Sequence, residues 1–300
     1  MASFVLVLYL VNHVCALQNS STLLERICKY VDGPADRTNN MMDSHANNTL
    51  LILQFGVKDG RTLRKIYNLA ADEFQKSKTS KAVIWGFDSF IGLPPETVGN
   101  YAALEWKPGA YSAAKRTNNR TLQQLHIETI MARIKRKTLD DVRLVPGFYK
   151  NSLSRELATQ IASYGPAAYI DIDCDLYSST YQALDWVFSN GLVGVGTMIG
   201  YDDWWVLPCI LNRSYNIERL GGEAKAHVEI ALKYNVTFDC VCGPCVATAN
   251  FTYGWRTYYT IRHFSSAHTG FSMPANYVKT FMSENKGCIY HRRRKYASLL

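Results

Sequence analysis

Past residue 20 the chain has no run long and apolar enough to cross a bilayer as a helix, so no stable membrane span is expected there. It has no internal repeat, which sets aside solenoids and propellers. It also lacks a concentrated charge. Its 33 Lys and Arg exceed its 25 Asp and Glu for a net +8, yet only Lys135–Lys137 and His291–Lys295 form basic runs. A basic run near a terminus is usually a solvated end, and no nucleic-acid-reading motif accompanies this one, so nucleic acid is not an expected partner. What the chain has is apolar content, 47% of 300 residues, enough for one large α/β domain or two small ones.

The organising stretch is Ala168 to Trp205, where two short apolar runs each end in acid. The first reads Tyr169-Ile170-Asp171-Ile172-Asp173-Cys174-Asp175-Leu176-Tyr177-Ser178-Ser179-Thr180, the second Met198-Ile199-Gly200-Tyr201-Asp202-Asp203-Trp204-Trp205. Between them Thr180 to Ser189 has helical spacing, with Asn190-Gly191 as a stop. Strand, helix, strand at this length is a βαβ unit with parallel strands. Ligands of open α/β sheets gather at the carboxyl ends of strands, where Asp173, Asp175, Asp202 and Asp203 would meet. Crowded carboxylates repel unless a cation or proton intervenes, and hard oxygen donors suit Mg²⁺ or Ca²⁺. One cluster alone would read as solvated loop carboxylates; two on adjacent strand ends favour a metal site.

Residues 3–16 are apolar except Asn12 and His13, and Val14-Cys15-Ala16 offers small residues for a signal peptidase. A cleaved leader over 1–16 is expected, with a buried first element as the rival. Sequons at Asn19, Asn47, Asn119, Asn212, Asn235 and Asn250 agree with a secretory, glycosylated chain. Of eight cysteines, Cys209, Cys240, Cys242, Cys245 and Cys288 are expected to form one or two bridges, with pairing open. Cys242-Gly243-Pro244-Cys245 spells a redox motif, but no helical pattern follows it, so a stapled turn is the better reading.

Residues 17–49 read as a helix, Ser21 to Val31, and a polar loop. Leu50 to Phe55 is a buried strand running into a turn with Gly56 and Gly60, then a helix to about Phe74. Glycines there let backbone approach a ligand, and the helix N-terminus favours negative charge. Ala82 to Phe90 is a second strand ending near Asp88, an acid placed to accept ribose hydroxyls. Residues 96–120 suit a lid. Helices over Thr121–Lys137 and Leu153–Tyr164 flank a strand over Val142–Phe148. A helix over Gly222–Tyr234 precedes two strands, Val236–Cys242 and Trp255–Phe264, paired as an antiparallel ribbon. Glycines 191, 194 and 196 precede a strand and are turn residues.

Gln54-Phe55-Gly56-Val57 with Gly60 and Thr62, Gly86-Phe87-Asp88-Ser89-Phe90-Ile91-Gly92-Leu93-Pro94, Leu144 to Phe148, Asp173 to Thr180, the Asp202-Asp203 pair and Gly222 to Ile230 together resemble the macrocin O-methyltransferase family. That family comprises class I S-adenosylmethionine-dependent enzymes that methylate sugar hydroxyls. The resemblance spans roughly residues 50–264. It implies a doubly wound, mostly parallel seven-stranded α/β sheet of Rossmann-like type, with a C-terminal extension over 265–300. It implies that Gln54, Gly56, Gly60 and Thr62 approach the methionine end of S-adenosylmethionine, and that Asp88, with Ser89 beside it, meets the ribose. Asp173, Asp202 and Asp203 would hold Mg²⁺ or another divalent cation. Asp173 and Asp175 would serve catalysis, Asp175 from a second shell or as proton acceptor. The family usually has Glu where this chain has Gln54, an amide that hydrogen-bonds without charge.

The expected activity is therefore metal-assisted O-methylation of a sugar or glycan hydroxyl in the secretory pathway. A sugar hydroxyl is a weak nucleophile; a divalent ion lowers its pKa and a carboxylate takes its proton. His126, His227 and His263 are alternative bases, though a lone histidine is more often structural. Two rival readings remain: a secreted, non-catalytic binding protein on this scaffold, and a cytosolic small-molecule O-methyltransferase. Asp88 and the three carboxylates at metal positions weigh against the first, since a dead site has no need of such charge crowding.

Overall fold

The structure is a computed structural model that describes residues 49–77, 81–112, 120–134, 142–204, 221–242 and 256–264. The expected leader, the helix over Ser21–Val31, the 205–219 segment, Cys245 and the basic tail lie outside the described residues. Among the described residues no helix is long and apolar enough to cross a membrane.

Seven strands form one sheet: β1 (Thr49–Phe55), β2 (Lys81–Asp88), β3 (Val142–Pro146), β4 (Tyr169–Ile172), β5 (Met198–Tyr201), β6 (Val236–Cys242) and β7 (Thr257–Phe264). Their order is β3-β2-β1-β4-β5-β7-β6. The pairs from β3 through β5 are parallel, while β7 runs antiparallel to both β5 and β6. Helices α1 (Arg61–Ser77), α2 (Arg120–Ile134), α3 (Tyr149–Ser152), α4 (Arg155–Ala162), α5 (Tyr177–Ser189) and α6 (Gly222–Lys233) connect them. The expected mostly parallel α/β sheet and its antiparallel ribbon are thus present.

Strands buried on both faces need apolar side chains in both directions, and Leu50 to Leu53 and Ala82 to Phe87 supply them. Two cores result. One gathers Phe55, Phe87, Trp186 and Tyr149, with the Phe55 and Phe87 rings stacked at 4.7 Å. The other packs Ile52, Val57, Leu63 and Tyr67 with Tyr169 on the opposite side.

Three boundaries differ from the sequence reading. Helix α5 begins at Tyr177, not Thr180, because Glu96, far away in sequence, accepts from the Ser178 amide at 3.2 Å and 3.3 Å. A helix end needs such an acceptor, and this one is not local. The helix expected over Leu153–Tyr164 is instead α4, preceded by the single turn α3. Ser154 caps α4, accepting from the Leu157 amide at 3.2 Å. The apolar run of the sequence starts at Val193, but strand β5 begins only at Met198, since the preceding residues form a turn in which the Thr197 hydroxyl accepts from Gly194 N and donates to the Ala167 carbonyl.

Candidate active site

The strand order reverses at β1, with β2 on one side and β4 on the other, and open α/β sheets bind ligands at that crevice. There the Asp173 amide donates to the Phe55 carbonyl at 2.8 Å, and the Gly56 amide to the Phe87 carbonyl at 2.9 Å. Gly56 has φ 91°, and a Cβ on it would stand 1.7 Å from the Asp173 carbonyl oxygen. Only glycine permits this approach. A cavity of about 640 Å³ opens over these strand ends, within the range of small-molecule sites.

Its floor is acidic. Asp173 follows β4, and Asp202 and Asp203 follow β5; carboxylate oxygens of the three lie within 4.8 Å of one another. Burial raises the Asp173 pKa well above the usual carboxylate range, and the charges of Asp202, Asp171 and Asp203 push it further. Asp203 is raised by burial and then by Asp175 and Asp202. Asp175 stands at φ 61°, a left-handed backbone rare outside glycine. Burial pushes its carboxyl up to about 7, against a hydrogen bond shared with Asp203. Behind the floor, fully buried Glu223 of α6 accepts from the Asp203 amide at 2.9 Å.

A cation paired directly with this floor is Arg256. Its Nε pairs with Asp202 Oδ1, and its charge opposes the rise of Asp171, Asp173 and Asp203. The antiparallel register explains the encounter: Tyr201 pairs with Thr257, so the next residue on each strand, Asp202 and Arg256, are brought together.

Several sequence-predicted residues line the cavity: Gly56, Thr62, Asp88, Ser89, Asp173, Asp175, Asp202 and Asp203. Asp88 is already engaged. Its Oδ2 accepts from the Val57 amide at 2.8 Å and the Lys58 amide at 2.6 Å, its Oδ1 from Phe90 at 2.6 Å. It therefore holds the glycine turn, with acceptor capacity left on Oδ1. Ser89 donates to the Gly92 carbonyl at 2.7 Å.

Two expected cofactor contacts are not part of the lining. Gln54 is fully buried beneath the cavity, where its Nε2 donates to Asp171 Oδ2 at 3.1 Å. Strand alternation turns it sideways onto its register partner on β4 rather than up to the strand end. Gly60 faces α2, and a Cβ there would meet Ile130 at 2.6 Å. None of the three histidines lines the cavity: His126 lies against the Lys58 carbonyl, His227 is buried behind the site, and His263 is exposed on β7. Sequence reasoning missed Arg256 and Glu223. Neither carries a local signal, since each reaches the site through the packing of a distant element. Cys240 is disulfide-bonded, one of the five cysteines expected to bridge, whereas Cys174 is a free, buried thiol.

Of the lid expected over 96–120, residues 96–112 are described before α2, and together with 92–95 they form one wall of the cavity. The Leu93 amide donates to the Ala110 carbonyl and the Gly109 amide to the Leu93 carbonyl, each at 2.9 Å, which closes the segment on itself. Trp106 and Ala103 pack on Leu176 at the start of α5. Lys225 donates to Asn100 Oδ1 at 2.6 Å, and Lys58 lies 4.5 Å from the Tyr111 ring centre. The wall presents Leu93, Pro94, Trp106 and Tyr111 to the cavity.

The strand order, with a crevice at its reversal, defines a Rossmann-like, mostly parallel α/β architecture. The macrocin-O-methyltransferase (TylF) family matches residues 69–216. Over that stretch, just under half of the chain, the sequence is similar to that family. Similar solved structures include the calicheamicin methyltransferase CalS11, at 19% identity over 70% of this chain and 71% of that one, with a TM-score of 0.48. The O-methyltransferase NovP is 18% identical over 86% of this chain and 99% of its own, with a TM-score of 0.45. An O-methyltransferase from Bacillus cereus in complex with SAH is 14% identical over 88% and 92%, with a TM-score of 0.41. No curated protein matches in sequence.

Proposed function

We propose that the chain transfers the methyl group of S-adenosylmethionine to a sugar hydroxyl of a glycan, assisted by a divalent cation, within the secretory pathway. The observation that carries the reading is the convergence of Asp173, Asp202 and Asp203 on the floor of the cavity at the strand-order reversal. The donor set fits a hard cation: three half-buried carboxylates close enough to repel one another, with the Arg256 guanidinium paired to Asp202. The cofactor position fits as well, with Gly56 and Thr62 at one end and Asp88, with Ser89 beside it, at the other.

When bound, S-adenosylmethionine supplies an electrophilic methyl carbon on sulfur, and a divalent ion supplies Lewis-acid polarisation of the acceptor hydroxyl. The protein's own residues align and deprotonate. Asp173, Asp202 and Asp203 would hold the cation. Asp175 is the proton acceptor, its carboxyl held up to about 7 first by burial, so that it can take a proton near neutral pH. Apolar and aromatic faces of Leu93, Pro94, Trp106 and Tyr111 hold the C–H faces of a sugar ring and exclude water. Rigid placement of donor and acceptor lowers the entropic part of the barrier. The secretory assignment is supported by the disulfide at Cys240 and by the sequons.

The test follows S-adenosylhomocysteine release from the purified chain with S-adenosylmethionine, Mn²⁺ and a panel of sugars and oligosaccharides. We expect sugar-dependent turnover that EDTA abolishes, and Asp175→Asn to lower kcat by about 10²–10⁴-fold while cofactor binding persists. Turnover indifferent to EDTA would remove the metal from the reading. A folded chain that does not bind S-adenosylmethionine would leave a binding scaffold instead.

A further inference from the structure

The acidic face of the sheet is built by strand alternation. Asp171 on β4 is followed two residues on by Asp173 just past its end, Gly200 on β5 likewise by Asp202, and Tyr258 on β7 is preceded by Arg256 just before its start. Asp171 pairs with Gly200 and Gly200 with Tyr258, so these residues form adjacent rows on one face. Gly200 leaves room for the Tyr169 hydroxyl and the Tyr258 ring, since a Cβ there would come within 2.6 Å of both. The Tyr169 hydroxyl donates to Asp171 Oδ1 at 2.6 Å and Gln54 Nε2 to Oδ2 at 3.1 Å, so each oxygen of this buried carboxylate has a neutral donor. Arg256 ends the third row and pairs through Nε with Asp202, its side chain 23% exposed toward the cavity.

We propose that Arg256 is a positioning residue and built-in counter-cation: it holds Asp202 in the metal-free protein and competes with a divalent ion for that carboxylate. The inference rests on the metal-assisted reading above. One Asp202 oxygen is committed to the guanidinium, so an ion that takes Asp202 as ligand must share it with Arg256 or displace it. Arg256 therefore weakens divalent affinity and, in exchange, spares the empty cluster part of its like-charge repulsion. A purely structural arginine would behave in the opposite way, because its loss would loosen the site and weaken metal binding.

Mn²⁺ affinity is measured by calorimetry and by electron paramagnetic resonance of free Mn²⁺, with melting temperatures in EDTA, for the wild type, Arg256→Met, Arg256→Lys and Asp202→Asn. Arg262→Met controls for the loss of one positive charge on the same strand, where Arg262 pairs at an exposed position with Asp239. We expect Arg256→Met to bind Mn²⁺ about tenfold more tightly, equivalent to ~1.4 kcal/mol, yet to melt lower than wild type in EDTA. Arg256→Lys should fall between, and Arg262→Met should match the wild type. Unchanged or weaker Mn²⁺ binding in a folded Arg256→Met overturns the proposal while leaving the metal site intact. Should neither the wild type nor Arg256→Met bind Mn²⁺, the metal reading itself fails and the proposal with it.

Discussion

Gln54 shows how far a residue's surroundings are set by a distant neighbour on the next strand. The family resemblance places it at the cofactor, and the structure places it beside Asp171, fully buried. That neighbour explains why an amide suits the position: a carboxylate there would put two acids in contact without water. We expect Gln54→Glu to cost about 3 kcal/mol at pH 7.5, seen as a lowered melting temperature, with a smaller loss at pH 5 where the pair can share a proton. His227 is a second buried polar residue with a structural task. Its Nδ1 meets the Tyr201 hydroxyl at 2.8 Å within a shell of Trp204, Phe238 and Tyr259 rings. Burial lowers its pKa to about 3. The unfolded chain therefore binds a proton near pH 6.5 that the folded chain refuses, so this stability is present above 6.5 and declines as pH falls toward 3. His227→Gln, melted across that range, should show a flatter acid decline than wild type.

Among the elements, the parallel strands were readable because each is an apolar run closed by a turn or an acid. Helix ends were less so. The start of α5 depends on Glu96, whose carboxylate caps it from the 92–112 segment and thereby fastens that wall over the cavity. Removing the charge should weaken both. Glu96→Gln is expected to cost about 0.5–1 kcal/mol in stability and to speed limited proteolysis within 92–112. Unchanged cleavage would mean that Trp106 packing on Leu176 suffices to hold the wall.

For the whole molecule, the site is a region of stored repulsion placed where the fold converges. Asp173, Asp203 and Glu223 are all raised, first by burial and then by neighbouring carboxylates, Asp202 acting on each of them. Such crowding opposes folding unless a cation is present. We expect Asp203→Asn to melt higher than wild type in EDTA, by about 1 kcal/mol of stability, and to lose the stabilisation that Mn²⁺ confers on the wild type. A melting temperature in EDTA no higher than that of the wild type would show that Arg256 already offsets the repulsion.

What the sequence alone determined was the alternation of apolar runs with helical stretches, and with it the parallel sheet, the acids at the ends of β4 and β5, and Asp88 at the end of β2. These follow from local periodicity, because a strand's last residue is marked by where its apolar pattern stops. Tertiary structure alone decided that Gln54 and Gly60 lie outside the cavity, that Glu223 backs Asp203, that Glu96 caps α5 and that Arg256 reaches Asp202. Each of those contacts joins residues from separate elements. Their meeting depends on strand order, register and the direction of β7, which no local pattern of residues encodes.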